Sequence, residues 1–164
     1  MFQSFGTRFA FAVLWATLIT GAASAAPNAA TEATRQANDV LAKYLPFSNK
    51  QDFENARRGF IADLPTPTIK GQDGNTVIDL AQYDFLKQDG PTPATVNPSL
   101  WRQSQLLAIR GLFKVVDGIY QVRNIDLANM TFVRGKTGWI VIDPLTSTET
   151  AKAALDLINE KVEK

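Results

Sequence analysis

The sequence predicts a mixed α/β fold, of the α+β kind, in which a helical arm is followed by the opening strands and first helix of a layered domain. Three observations predict it. Between residues 112 and 144 lie four runs of β-formers, at 113–116, 119–122, 130–133 and 139–142, with Gly or Asn in the gaps. Apolar residues recur at helical spacing before these runs, from Thr31, and after them, from Thr146. The last run, Trp139-Ile140-Val141-Ile142, does not alternate, so it is expected to be a central strand covered on both faces.

In chain order, Ala33, Ala37, Val40, Leu41 and Tyr44 form the stripe of a first helix that Pro46 ends. Ser48 with Gln51 reads as a capping box opening a second helix, with Phe53, Ala56 and Phe60 facing inward and Gly59 near its end. Leu64-Pro65-Thr66-Pro67 is a stiff extended link. Residues 68–70 and 75–79 flank a Gly-containing turn and predict a small exposed hairpin. Residues 81–86 suit a turn of helix, and the Pro-, Thr- and Gly-rich stretch 88–97 a surface loop.

Asn97 is a good N-cap and Pro98 suits a first helical position, so a helix follows with Trp101, Gln105, Leu106 and Ile109 on one side, stopping at Gly111. Asp117-Gly118 and the stretch 135–138 are turns between strands, because glycine accepts the positive φ a tight turn needs. Pro144 cannot donate to a ladder and closes the last strand. Thr146 with Glu149 predicts the cap of a final helix whose stripe is Ala151, Ala154, Leu155, Ile158 and Val162.

The leader is read from Arg8, a largely apolar uncharged run at 9–20, and Ala23-Ser24-Ala25, which together make a signal peptide over residues 1–25. The run of 12 residues is shorter than the roughly 20 needed to cross a bilayer, so no transmembrane anchor is expected. The chain is therefore expected to be exported, to the periplasm or outside the cell. Of 17 basic residues only Arg8 lies in the leader, leaving the remainder neutral against 16 acids, with no basic stripe for nucleic acid. No cysteine is present, so no disulfide framework is expected.

Histidine is also absent, which removes the usual base from serine and cysteine nucleophiles and the usual ligands from a zinc site. Gly135-Lys136-Thr137 resembles the end of a phosphate loop, but Met130 stands where that motif needs glycine and a strand follows where it needs a helix. Asp73-Gly74-Asn75 lacks the alternating acids and closing Glu of a calcium loop, and reads as a turn. Arg57, Arg58, Arg102, Arg110 and Arg123 are candidates for an oxyanion such as sulfate, or for solvated faces and carboxylate partners. Trp101, Tyr83, Phe85 and Leu86 are read as core packing, with the lining of an alkyl-chain channel as the alternative. Asp143 ends a strand at the carboxyl edge of the sheet, where α/β proteins place ligands, or else accepts backbone N–H bonds to fix the strand-to-helix turn.

The motif D-G-I-Y-x-V at 117–122, followed by N-x-x-F-x-x-G-x-x-G-W-I-V-I-D-P at 129–144 and a helix, resembles the opening of the metallo-β-lactamase fold. Together with ATEATRQANDVLAKYLPF (30–47), QDFENARRGFIADLP (51–65), DLAQYDFL (79–86), PATVNPSLWRQSQL (93–106) and DPLTSTETAKAAL (143–155), it resembles the N-terminal part of the secreted linear alkyl sulfatases. The resemblance implies an αββα sandwich of which only the first strands and first helix are present, and an activity, in the whole protein, against dodecyl sulfate and similar esters. It implies two zinc ions in a centre that begins with an H-x-H-x-D-H motif shortly beyond Asn159, a homodimer, and Asp143 as a support near the metal loop rather than a ligand. Where the family is expected to carry histidine and asparagine before Gly111, this chain has Leu107-Ala108-Ile109-Arg110.

Residues 26–111 are accordingly expected to be an N-terminal arm with hairpin and loop, and 112–164 the start of an incomplete metallo-β-lactamase-like domain. No catalytic, cofactor-binding or metal-ligating residue is expected in the chain itself. The rival expectations are a small exported amphiphile-binding module and a non-functional remnant of a split gene.

Overall fold

A computed structural model describes residues 28–87 and 90–162; the signal-peptide reading lies outside the described residues. The first helix, α1 (Glu32–Tyr44), is capped by the Thr31 hydroxyl, which accepts from the Thr34 backbone N–H. Its inner side is not the expected stripe. Thr34, Asn38 and Leu41 are half-buried, whereas Val40 and Tyr44 are 52% and 83% exposed. The Asn38 side chain donates to the Ala94 carbonyl, so a polar anchor rather than an apolar face sets the rotation of the helix.

The second helix, α2 (Gln51–Arg57), is not opened by Ser48: the Asn49 carboxamide accepts from the Gln51 N–H, because residues 46–49 already form a turn closed from the Asn49 N–H to the Pro46 carbonyl. Phe60 does not continue that helix. Gly59 takes a φ of 73°, and the chain turns into strand β1 (Phe60–Ala62), which pairs antiparallel with β4 (Gly111–Val116).

Strands β2 (Thr68–Lys70) and β3 (Thr76–Asp79) form the expected hairpin, but it is not wholly exposed, since Ile69 is buried where β2 lies against the last helix. A 3₁₀ helix spans Leu80–Lys87, and α3 (Pro98–Leu107) starts on the Asn97 cap with Pro98 as its first residue. Ile109 lies beyond that helix.

Strands β5 (Ile119–Arg123), β6 (Met130–Arg134) and β7 (Trp139–Ile142) complete a five-stranded antiparallel sheet in the order β1-β4-β5-β6-β7. The expected central strand is therefore an edge strand among the described residues, with Ile140 and Ile142 59% and 55% exposed. Lack of alternation reports that both faces are apolar, and does not by itself say what covers them.

The final helix, α4 (Thr148–Lys161), lies on one face of the sheet. Its capping box is Ser147 with Thr150, not Thr146 with Glu149. The buried stripe is Thr150, Ala154, Leu157 and Ile158, while Leu155 turns partly outward. These residues meet Leu80, Leu112, Val122, Ile125, Met130 and Phe132 in one cluster. The segment before residue 111 thus contributes both a strand and a core residue to the sheet layer, and the whole is an α+β arrangement.

Candidate functional site

The carboxyl end of β7 and the loop beside it hold the non-glycine residues of positive φ among the described residues. Asp143 and Leu145, on either side of Pro144, adopt φ of 57° and 69°, and Asn124 in the β5–β6 loop adopts 60°. Each is a left-handed conformation that costs a non-glycine residue about 1–2 kcal/mol, and it is disfavoured again before proline. Asn tolerates it best, and Asn124 is held by its own amide, which donates to the Ile109 carbonyl at 2.8 Å.

The carboxylate that fixes this corner is Asp126, not Asp143. Asp143 is exposed and its side chain makes no hydrogen bond among the described residues. Asp126 accepts from the Thr146 N–H at 3.0 Å, from the Thr146 hydroxyl at 2.6 Å, from the buried Thr150 hydroxyl at 2.7 Å and from the Leu127 N–H. Burial pushes its carboxyl up, but the Thr146 and Thr150 hydroxyls and the two backbone donors outweigh that and lower it to about 2. The β5–β6 loop is thereby tied to the first turn of α4 across the strained 143–145 segment.

Because the Asp126 carboxyl titrates lower in the folded than in the unfolded chain, the stability it contributes is present above about pH 4 and is lost as pH falls toward about 2. Asp126→Asn is expected to remove about 1–2 kcal/mol at neutral pH and to flatten the loss between those limits. Urea titrations of both forms at a series of pH values measure it; parallel pH profiles would refute the assignment.

The five candidate arginines do not converge. Arg102 is consumed as a clamp: it donates to both carboxylate oxygens of Asp52 at 2.7 Å and to the carbonyls of Phe47 and Asn49, between the rings of Phe47 and Phe53. Its guanidinium holds the Asp52 carboxyl below the usual carboxylate range. Arg110, with 8% of its side chain exposed, pairs with Asp63 at 3.2 Å and donates to the Leu80 carbonyl, joining the end of β1 to the 3₁₀ helix. Arg57 and Arg58 bond within and just after α2, to the Phe53 carbonyl and the Asn55 side chain. Arg123 rests on the Phe113 ring and donates to Gln121.

The four candidate channel residues separate as well. Phe85 packs on Trp101, with ring centroids 6.0 Å apart. Tyr83 and Leu86 instead line a cleft of about 490 Å³ together with Leu107, Arg110, Ile125 and Leu127. Asp126 is among its lining residues, so the strained corner and this cleft are adjacent. The stretch 107–110, singled out by its departure from the expected residues, supplies part of its wall. Nothing in its sequence signals a cleft, since Leu107 and Ala108 read as ordinary helix residues; only packing shows it.

Among the described residues no three His, Cys, Asp or Glu side chains come together in a group able to hold a metal ion. No helix is long and apolar enough to cross a membrane among them.

No family profile matches the chain. Its fold is nevertheless that of a fragment of an alkylsulfatase. The solved structure of a stereoselective inverting sec-alkylsulfatase from Pseudomonas sp. superposes with a TM-score of 0.76 at 45% identity, over 84% of this chain and 21% of that one. By sequence, the chain is homologous to a linear primary-alkylsulfatase of Pseudomonas sp., 55% identical over 155 residues, 93% of this chain and 23% of the relative. An alkyl/aryl-sulfatase of Saccharomyces cerevisiae is 51% identical over 124 residues, 76% of this chain and 19% of its own length. The chain thus matches a partial, N-terminal-like region of the linear and secondary alkylsulfatases and spans less than a quarter of the relatives' length.

Proposed function

We propose that this chain is the N-terminal portion of an exported, zinc-dependent alkylsulfatase of the metallo-β-lactamase fold, which hydrolyses the sulfate ester of long-chain alkyl sulfates such as dodecyl sulfate. The observation that carries it is the 55% identity to a linear primary-alkylsulfatase across 93% of the chain. The residues present do not fit a zinc site, having no histidine and, among the described residues, no cluster of ligands. In this reading the zinc ions are held by side chains outside these 164 residues, and the role of this portion is architectural: one sheet layer, its covering helix, and the braced corner at Asp126. Asp143, at the carboxyl end of β7, then supports the metal loop without ligating.

Purified chain supplied with zinc and dodecyl sulfate is expected to release no sulfate above background. Mixing it with the separately produced remainder of the Pseudomonas linear primary-alkylsulfatase is expected to restore release. Zinc-dependent hydrolysis by the chain alone would overturn the reading.

A second reading, a binding module for amphiphiles, draws on the apolar cleft between Tyr83, Leu86, Leu107 and Leu127. It requires saturable binding of dodecyl sulfate by the isolated chain below micellar concentration, weakened by Leu107→Asp. Titration calorimetry decides between the two.

A further inference from the structure

Asp-Gly pairs stand at 73–74, 89–90 and 117–118. Glycine leaves the backbone nitrogen after an aspartate unshielded, so that nitrogen can attack the side-chain carboxyl and close a five-membered succinimide. The first and last pairs have opposite surroundings. Gly74 donates its N–H to the Gly71 carbonyl at 3.0 Å, and both oxygens of Asp73 are occupied, accepting from the Asn75 N–H and the Asn75 amide. Nucleophile and electrophile are there held apart.

Asp117 and Gly118 form the loop of the β4–β5 hairpin, between the paired Val116 and Ile119. Gly118 has a φ of 77°, and its N–H has no acceptor among the described residues. The Asp117 side chain is 98% exposed, and the group that restrains it is Lys114, whose Nζ lies 2.6 Å from a carboxylate oxygen. That contact, by hydrogen bond first and by charge second, holds the Asp117 carboxyl below the usual carboxylate range. Tyr120 is the other titratable group beside Lys114, and the Arg134 guanidinium on the neighbouring strand is turned onto the Trp139 ring.

We propose that the Asp117–Gly118 turn is a site of spontaneous isomerisation to isoaspartate, with Lys114 as the residue that restrains it. The Gly118 nitrogen gives its proton to solvent and bonds to Asp117 Cγ, and the carboxyl hydroxyl leaves as water. Water then opens the ring. Opening at Cγ restores aspartate, whereas opening at the main-chain carbonyl carbon leaves Gly118 joined through the side chain, with one more methylene in the backbone. The departing hydroxyl requires a neutral carboxyl, so an ion pair that keeps Asp117 charged slows the step. The extra methylene falls in a loop whose two residues set Val116 opposite Ile119, in a hairpin that carries the buried Leu112, Phe113 and Val122. The inference does not depend on the alkylsulfatase reading.

The test holds the full 164-residue chain in mildly acidic buffer made with heavy-oxygen water and maps its peptides by mass spectrometry. Each ring opening leaves one heavy oxygen in the residue, so passage through the succinimide is counted even where aspartate is restored. Label and isoaspartate are expected to build up at least about five-fold faster at Asp117 than at Asp73. Lys114→Gln is expected to raise the rate at Asp117 about two-fold, the modest gain due to an exposed pair, and to leave Asp73 unchanged. Asp117→Asn reaches the same succinimide by losing ammonia, so it is expected to react faster than the wild type and to be indifferent to an added Lys114→Gln. Equal rates at Asp73 and Asp117 would overturn the site. A rate at Asp117 that Lys114→Gln leaves unchanged or lowers would overturn the role of Lys114, as would acceleration of the Asp117→Asn form by Lys114→Gln.

Discussion

Phe132→Ala is expected to lower the unfolding free energy by about 3–5 kcal/mol. Phe132 is fully buried in the middle of β6, with Val122, Ile125 and Ile158 in the same cluster, and it meets the edge of Trp139 with ring centroids 6.1 Å apart. Truncation loses the transfer free energy of the ring and opens a cavity that neighbours from two strands and a helix cannot close together. A domain of this size commonly has about 5–15 kcal/mol in total, so the loss is a large fraction of its stability. Thermal and urea melts report it. Loss of less than about 1 kcal/mol would mean that the cluster around α4 is not the core that holds the sheet.

Gly111→Ala is expected to cost about 3 kcal/mol, though it adds a single methyl group. Gly111 begins β4 with a φ of 123°, and a Cβ there would lie 2.3 Å from the Ala62 carbonyl oxygen, a backbone atom in the neighbouring strand β1. Neither strain can relax without separating the two strands. Gly74→Ala isolates the conformational part: its φ is 80°, but a Cβ there meets nothing within 4 Å, so it is expected to cost about 1–2 kcal/mol. Similar losses at both positions would argue that β1 is not fastened to β4 as described.

The four strands between 111 and 142 were legible because their β-branched and aromatic residues are grouped in short runs with glycine or asparagine between them. The N-cap at Asn97 and the hairpin at 68–79 were legible for the same local reason. The three-residue strand β1 was not. Phe60-Ile61-Ala62 carries no pattern long enough to separate it from the tail of α2, and it is a strand because Gly111 lets the backbone of β4 approach it. The cap of α4 was misread by one residue because Thr146 and Ser147 both suit the position, and Asp126, 20 residues away, takes the Thr146 hydroxyl.

The candidate site was legible only in outline. Asp143 is conspicuous at the end of a strand, yet the residue that braces that corner is Asp126, in a loop whose sequence offers no reason to prefer it. Five arginines looked equivalent. Their partners are carboxylates and carbonyls 30 to 55 residues distant, for Arg102 and Arg110, and a ring on the adjacent strand for Arg123.

By itself the sequence determined the order and kind of most elements, through local propensity, turn chemistry and capping, and it determined that no imidazole or thiol is present to bind metal. Which strand lies at the edge, which face α4 covers, and which of the candidate arginines gain a carboxylate partner were decided by tertiary structure alone. Those properties depend on what comes to lie opposite a residue in space, and side-chain spacing along the chain records only which way a residue points.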